Sequence, residues 1–294
     1  MRKKGLMELI ALGIIAGAVT IFGTAKAIKG EEAKTVFVEN QEILTEKSEN
    51  LSNGDEDKKD KKLNLDENAV DAAKVEQMLK GTYEDDGEKI VFLTFDDGPS
   101  TSVTPKILDT LKEYNVKATF FQLGENIEKN EESKKIVKRI YDEGHALGNH
   151  TYTHSLETLY PNNQLDIETY MKEVESTDTS MKEIIGQDFN TRILRMPGGY
   201  MSREYYNDPN LGAFNERLKK ENWHSIDWNA MNGDADGTEK SAEELLTEVK
   251  NTAGEQNKIV ILMHDTYGKE ETADALPNII EYLKEQGYKF KTIK

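Results

Sequence analysis

From Lys89 onward the chain alternates between short apolar runs and amphipathic stretches. Ile90 to Phe95 is almost continuously apolar, the pattern of a strand covered on both faces. Comparable runs predict strands over 117–123, 145–148, 193–195, 223–228, 258–263 and 288–292. After Thr104-Pro105, a capping residue followed by proline, Ile107, Leu108, Leu111 and Tyr114 repeat at helical spacing. Further helices are predicted over 131–143, 165–185, 211–221, 242–252 and 273–285, with Gly144, Gly186 and Gly287 as stops. About seven strands, most followed by a helix, imply an α/β fold with right-handed crossovers and a mostly parallel sheet. The number suits an incomplete β/α barrel, in which chemistry gathers at the C-terminal ends of the strands.

Upstream the pattern differs. Met1-Arg2-Lys3-Lys4 is a basic leader, Leu9 to Phe22 is uncharged and apolar, and Ala25-Lys26-Ala27 has small-x-small character. This predicts a signal peptide or signal anchor over 1–27, and hence an exported protein, secreted or held at the cell surface. Residues 28–82 are dominated by Glu, Lys, Asp, Asn and Ser and read as a largely disordered spacer. Within it, 66–79 predicts a short helix with Val70, Ala73 and Leu79 on one side. The folded domain is then 83–294. A formal net charge of -17 over 294 residues disfavours nucleic acid and anionic lipid as partners, leaving membrane contact to an uncleaved leader. The chain has no cysteine, which excludes disulfides and thiolate metal sites.

Five polar motifs punctuate the predicted strand ends. They are Thr94-Phe-Asp-Asp-Gly-Pro-Ser100, His150-Thr-Tyr-Thr-His154, Arg195-Met-Pro-Gly-Gly-Tyr200, Asp227-Trp-Asn-Ala-Met-Asn-Gly-Asp234 and Leu262-Met-His-Asp265. Adjacent Asp96 and Asp97 could divide labour, one ligating a cation and the other taking a proton. His150 and His154, four apart, would share one face of a helical turn and could meet one ion. One Asp and two His leave positions open for water and substrate. Arg195 could hold a base in place, and His264 could act as a general acid near neutral pH. His145 and His224 lie within or beside strands and read as structural. Two His and one carboxylate also build non-haem Fe(II) oxygenase sites. A cell-surface glycan-binding module without catalysis is the reading outside enzymes.

Together the motifs resemble the polysaccharide deacetylase family, also called NodB-homology or carbohydrate esterase family 4, over about 89–292. The resemblance implies a distorted (β/α)7 barrel that removes acetyl groups from glycans. It implies that Asp97, His150 and His154 bind a divalent metal, usually Zn²⁺ and sometimes Co²⁺ or another ion. Asp96 would be the general base with Arg195 as its partner. His264 would be the acid, tuned by a fourth-motif aspartate, either Asp234 by the spacing from Trp228 or Asp227 in another register. Pro197, Gly198, Gly199, Tyr200, Trp228 and Leu262 would lie along the substrate. Two positions depart from the family pattern: Gly198 stands where an aromatic residue is common, and Ala235 where tryptophan often walls the acetyl pocket. The expected substrate is peptidoglycan, with chitin oligomers or an exopolysaccharide as alternatives, and the expected state is a monomer.

Overall fold

The computed structural model describes residues 68–294, so the leader and the spacer up to residue 67 lie outside the described residues. In chain order the strands are β1 (Ala69–Val70), β2 (Ile90–Gly98), β3 (Thr119–Gln122), β4 (Ala146–Asn149), β5 (Ile193–Leu194), β6 (His224–Ser225), β7 (Ala230–Met231), β8 (Lys258–His264), β9 (Lys289–Phe290) and β10 (Thr292–Ile293). The helices are α1 (Ala72–Leu79), α2 (Thr104–Glu113), α3 (Gly124–Glu128), α4 (Glu131–Asp142), α5 (Leu156–Leu159), α6 (Ile167–Ile185), α7 (Tyr200–Tyr205), α8 (Leu211–Glu221), α9 (Ala242–Ala253) and α10 (Glu270–Glu285). The main sheet runs β6-β5-β4-β3-β2-β8-β7, with every neighbouring pair parallel and β9 added to the start of β2.

The two edge strands, β6 and β7, are consecutive in the chain. The predicted strand over 223–228 is shorter than expected, β6 alone, and a further short strand, β7, which the pattern did not predict, follows it on the opposite edge. Ile226 donates its N–H to Leu194 on one side, and Asn229 donates to Val260 on the other. A parallel sheet whose edges are joined by so few residues must curl. The result is a barrel of parallel strands, open between β6 and β7, in place of a flat doubly wound sheet.

The outward sides of β2, β3 and β8 pack beneath helices. Val91, Leu93, Phe95, Phe120, Ile259 and Ile261 are all buried there. The inward sides meet in a second cluster of Phe92, Phe121, Ile193, Ile226 and Val260. Ala72 and Val75 of α1 belong to that inner cluster. β1 pairs with β10, and Ala72 donates to the Lys294 carbonyl. The folded unit thus begins upstream of residue 83, and 69–79 is part of its core and not of a spacer. The predicted helix is present but shorter: Val70 is in a strand, Ala72 and Val75 are the fully buried positions, and of the three predicted residues Val70 and Leu79 pack part-buried against the same cluster.

Composition misled here because a few apolar side chains, Ala72 and Val75 with Val70, Met78 and Leu79 beside them, seal the barrel. Val75→Asp would put a carboxylate among Phe92, Phe121 and Val260, at a cost of about 3 kcal/mol or more. We expect the thermal midpoint to fall by roughly 5–10 °C, and an unchanged midpoint would show that α1 is not part of the core.

Candidate active site

Asp96 and Asp97 end β2, where simple alternation would send adjacent side chains to opposite faces. The ladder to β3 breaks at this point: Asp96 is opposite Phe121, Gly98 is opposite Gln122, and Asp97 is the extra residue. Asp97 adopts φ 67°, a left-handed conformation uncommon outside glycine. Such a bulge re-aims a side chain. It lets Asp96 and Asp97 approach the same imidazole: His150 Nε2 lies 3.7 Å from Asp96 Oδ2 and 3.3 Å from Asp97 Oδ1.

The expected helical turn between His150 and His154 is not formed. Both lie in the loop after β4, with positive φ at Thr151 (68°) and His154 (58°). That loop folds the rings to 5.0 Å between centroids, and His154 Nε2 lies 3.7 Å from Asp97 Oδ1. The loop is held from α6: Glu173 accepts the N–H groups of Tyr152 and Thr153. Asp97, His150 and His154 each offer a ligand atom within 4.8 Å of the others.

The donor set fits a cation. Asp97 Oδ1 is buried without a hydrogen-bond donor. His150 Nδ1 lies 2.7 Å from the Arg195 carbonyl, which can only accept, so the proton sits on Nδ1 and Nε2 turns its lone pair toward Asp97. Burial alone would raise the Asp97 carboxyl. When the imidazoles are protonated, the His150 contact and the charges of His150, His154 and His264 outweigh it and hold Asp97 well below the usual carboxylate range; with neutral imidazoles a cation takes the place of those protons. A carboxylate oxygen facing two imidazole nitrogens calls for a positive ion.

Arg195 is fully buried and every side-chain nitrogen is used. Nη1 donates to Asp96 Oδ1 and to Thr94 Oγ1, both at 2.8 Å, Nε donates to the Ile226 carbonyl at 2.8 Å, and Nη2 to the Asp227 carbonyl at 3.1 Å. The guanidinium lies 4.3 Å from the Phe121 ring and 5.6 Å from the Trp228 ring. A side chain fixed this completely fixes Asp96 in turn.

His264 ends β8, and its Nε2 lies 3.9 Å from Asp97 Oδ2. Its Nδ1 lies 2.7 Å from Asp234 Oδ1, while Asp234 Oδ2 accepts the His264 N–H and the Thr272 hydroxyl. Of the two fourth-motif aspartates, Asp234 is therefore the one that touches His264. Asp227 points elsewhere and accepts the N–H groups of Tyr200 and Met201 at the start of α7. Burial pulls His264 down, but the Asp234 hydrogen bond and charge, with Asp96 and Asp97 behind them, push it up to about 9.

Asp234→Asn removes the largest of those raising effects, so the His264 pKa falls toward its ordinary value. We propose His264 as the general acid, and on that reading the alkaline limb of a pH–rate profile, where His264 loses its proton, should move down by about 1–2 pH units. An unmoved limb would separate Asp234 from the acid.

The substrate-side residues divide. Leu262 is part-buried on β8, two positions before His264. Pro197 is buried and its carbonyl accepts the Tyr160 hydroxyl. Gly199 donates its N–H to Met196, while Gly198 is exposed and its N–H has no partner among the described residues. A Cβ on Gly199 would lie 2.8 Å from Trp228, at φ 80°, so only glycine suits that turn. Tyr200 does not join the Asp–His cluster; its hydroxyl accepts from Asn215 on α8. A cavity of about 820 Å³ opens from Asp97, Asp234 and His264 past Ala235 toward Lys240 and Lys269. His145 lies in the core, where its Nδ1 accepts the Ala118 N–H, and His224 faces Glu76 at 3.4 Å.

One participant was not singled out from the sequence. The Asp265 carboxyl is fully buried and accepts the Thr104 hydroxyl at 2.6 Å, while its backbone carbonyl accepts the Ser100 hydroxyl. Ser100 in turn accepts the N–H groups of Val103 and Thr104, so the start of α2 is held from Ser100; Thr104 is the first helical residue and not the cap, and the cap position, Val103, makes no side-chain bond. A Cβ on Gly98 would sit 2.3–2.6 Å from the Asp265 carboxyl. Burial pushes Asp265 up to about 7. The Asp-Gly-Pro-Ser run was the available signal: glycine after a bulge marks a close approach.

A parallel barrel with an Asp-His-His cluster at its C-terminal rim, flanked by Asp96–Arg195 on one side and His264–Asp234 on the other, defines the class. The sequence profile of the polysaccharide deacetylase family matches residues 83–211. A peptidoglycan-N-acetylglucosamine deacetylase of Bacillus cereus is 36% identical over 209 residues, covering 69% of this chain and 66% of that protein. The peptidoglycan-N-acetylglucosamine deacetylase PgdA of Listeria monocytogenes is 34% identical over 205 residues, covering 70% of this chain and 38% of that one. Among solved structures, a Streptococcus mutans CE4 esterase superposes with a TM-score of 0.69 at 38% identity, covering 77% of this chain and 92% of that one. The chain belongs to the polysaccharide deacetylase family.

Proposed function

We propose that this protein hydrolyses the acetamide of N-acetylated amino sugars in peptidoglycan and releases acetate. One observation carries the reading: the Asp97–His150–His154 cluster stands between a carboxylate locked by Arg195 and an imidazole locked by Asp234. The names of the relatives support N-acetylglucosamine as the sugar. The nitrogen and oxygen donor set supports Zn²⁺ as the ion.

Asp97, His150 and His154 would hold the ion, which when bound acts as a Lewis acid and brings the pKa of water toward about 7. Asp96 takes the proton of the attacking water; Arg195 occupies its Oδ1, so Oδ2 is the oxygen left to do so. The Gly198 N–H, exposed and without a partner among the described residues, would donate to the carbonyl oxygen as negative charge develops on it. His264, with Nδ1 tied to Asp234, carries the proton for the departing amine on Nε2. The C–N bond breaks, the sugar leaves as its amine, and the acetyl carbon leaves as acetate.

The basic leader and the apolar run that follows it support export to the cell surface. A single chain supplies every group named, which supports action as a monomer. The test is acetate release from peptidoglycan and from N-acetylglucosamine oligomers, before chelation, after chelation and after zinc is returned. The reading requires release that stops on chelation and recovers with zinc. Release indifferent to chelation would refute it.

A further inference from the structure

A glycan strand extends well beyond the acetamide that is cut, and the site described above grips only the reacting group. A second cavity, of about 640 Å³, lies between α1, α7, α8 and the segment 223–228. That is the size of a small-molecule site. The chain has only two tryptophans, Trp223 and Trp228, and both line this cavity, together with Tyr200 and Met201. Trp228 also adjoins the groups behind the reaction centre: its ring lies 5.6 Å from the Arg195 guanidinium, which holds Asp96, and against Gly199.

Polar groups stand among the rings. Asn215 and Glu76 line the cavity, and the buried Ser225 hydroxyl there has no hydrogen-bond partner. Flat aromatic faces interleaved with amide, hydroxyl and carboxylate groups complement a pyranose, whose C–H face is apolar and whose edge carries hydroxyls. The charged lining is mixed, with Glu76, Glu204 and Asp227 against Lys80 and Lys219, which favours a neutral sugar over a strongly charged ligand.

We propose that this cavity is a subsite for an uncharged pyranose of the same strand whose acetamide sits at the Asp97–His150–His154 cluster. The inference rests on the deacetylase reading. α1 supplies Glu76 and Leu79 to the cavity, so the segment before residue 83 shapes glycan recognition as well as the core.

The test uses the full chain and two probes, the dimer and the pentamer of N-acetylglucosamine. Both tryptophans line the cavity, so its occupancy should change the intrinsic fluorescence, and Trp228 remains as a reporter in Trp223→Ala; the dimer serves as the control for binding at the reaction centre alone. With chelator present, so that no turnover occurs, the pentamer should give a saturable change in the wild type. Trp223→Ala should weaken that binding about tenfold. In the zinc-loaded enzyme the same variant should raise KM for the pentamer about tenfold with kcat within about threefold, and leave the dimer unaffected. Should Trp223→Ala not fold, Met201→Ala replaces it, since Met201 is 45% exposed and its loss spares the core; a threefold or larger rise in pentamer KM is then expected.

Acetate release with identical chain-length dependence in wild type and variants would overturn the subsite and leave the deacetylase reading standing. Saturable pentamer binding that Trp223→Ala weakens, in a wild type that releases no acetate from any substrate, would do the reverse.

Discussion

Asp96→Asn is expected to lower kcat by about 10²- to 10⁴-fold, the usual worth of a positioned general base. Zinc content and KM should stay within a few-fold of wild type, because Asp96 is not among the three grouped ligand residues. The variant separates base from ligand, which the sequence alone could not do for two adjacent aspartates. It should also lose stability. Arg195 is fully buried, and Asp96 at 2.8 Å is its one ion-pair partner among the described residues. Leaving a buried guanidinium without that charge costs on the order of 3 kcal/mol. A drop in kcat with a lowered thermal midpoint is therefore the expected pair of results, read by steady-state kinetics and thermal unfolding. Turnover near the wild-type rate would remove Asp96 from the mechanism.

His150→Ala should act through the metal instead. It deletes one of three donors and also abandons the Arg195 carbonyl, which His150 Nδ1 contacts at 2.7 Å. We expect zinc affinity to fall at least about 100-fold, more than the loss of a supporting hydrogen bond costs. Elemental analysis after dialysis should find the variant empty where the wild type retains one ion per chain. Activity should return in part at high zinc concentration if the remaining donors still converge. Full zinc retention in the variant would dismiss His150 as a ligand.

Much of this was legible in the chain because apolar runs mark doubly covered strands. β2, β3 and β8 fall where the unbroken hydrophobic stretches lie, and α8 has its predicted bounds. The polar residues at the ends of those runs had to gather at one rim once the sheet was parallel. What stayed hidden depended on backbone geometry. The bulge that turns Asp97 beside Asp96 leaves no periodic trace, and neither do the positive φ angles at Thr151 and His154. The spacing of His150 and His154 suggested a helix, yet Thr151 and Thr153 between them are poor helix formers and a loop does the same work.

The break at 226–229 was invisible for another reason. Ile226 and Trp228 continue the apolar pattern while the chain crosses from one sheet edge to the other. The helix within 66–79 was legible, but its place in the core was hidden by its neighbours, since a charged stretch of sequence surrounds Ala72 and Val75. Asp265 stood in the fifth motif without a role, because nothing in the sequence shows that Gly98 lies against its carboxyl.

The most direct measurement is anomalous X-ray scattering from crystals of the protein grown with zinc, collected on both sides of the zinc absorption edge. The account predicts one strong peak per chain within bonding distance of an Asp97 oxygen and of Nε2 of both His150 and His154, with Asp96 and His264 flanking it. A peak held by other residues, or none at these three in protein that releases acetate, would contradict it.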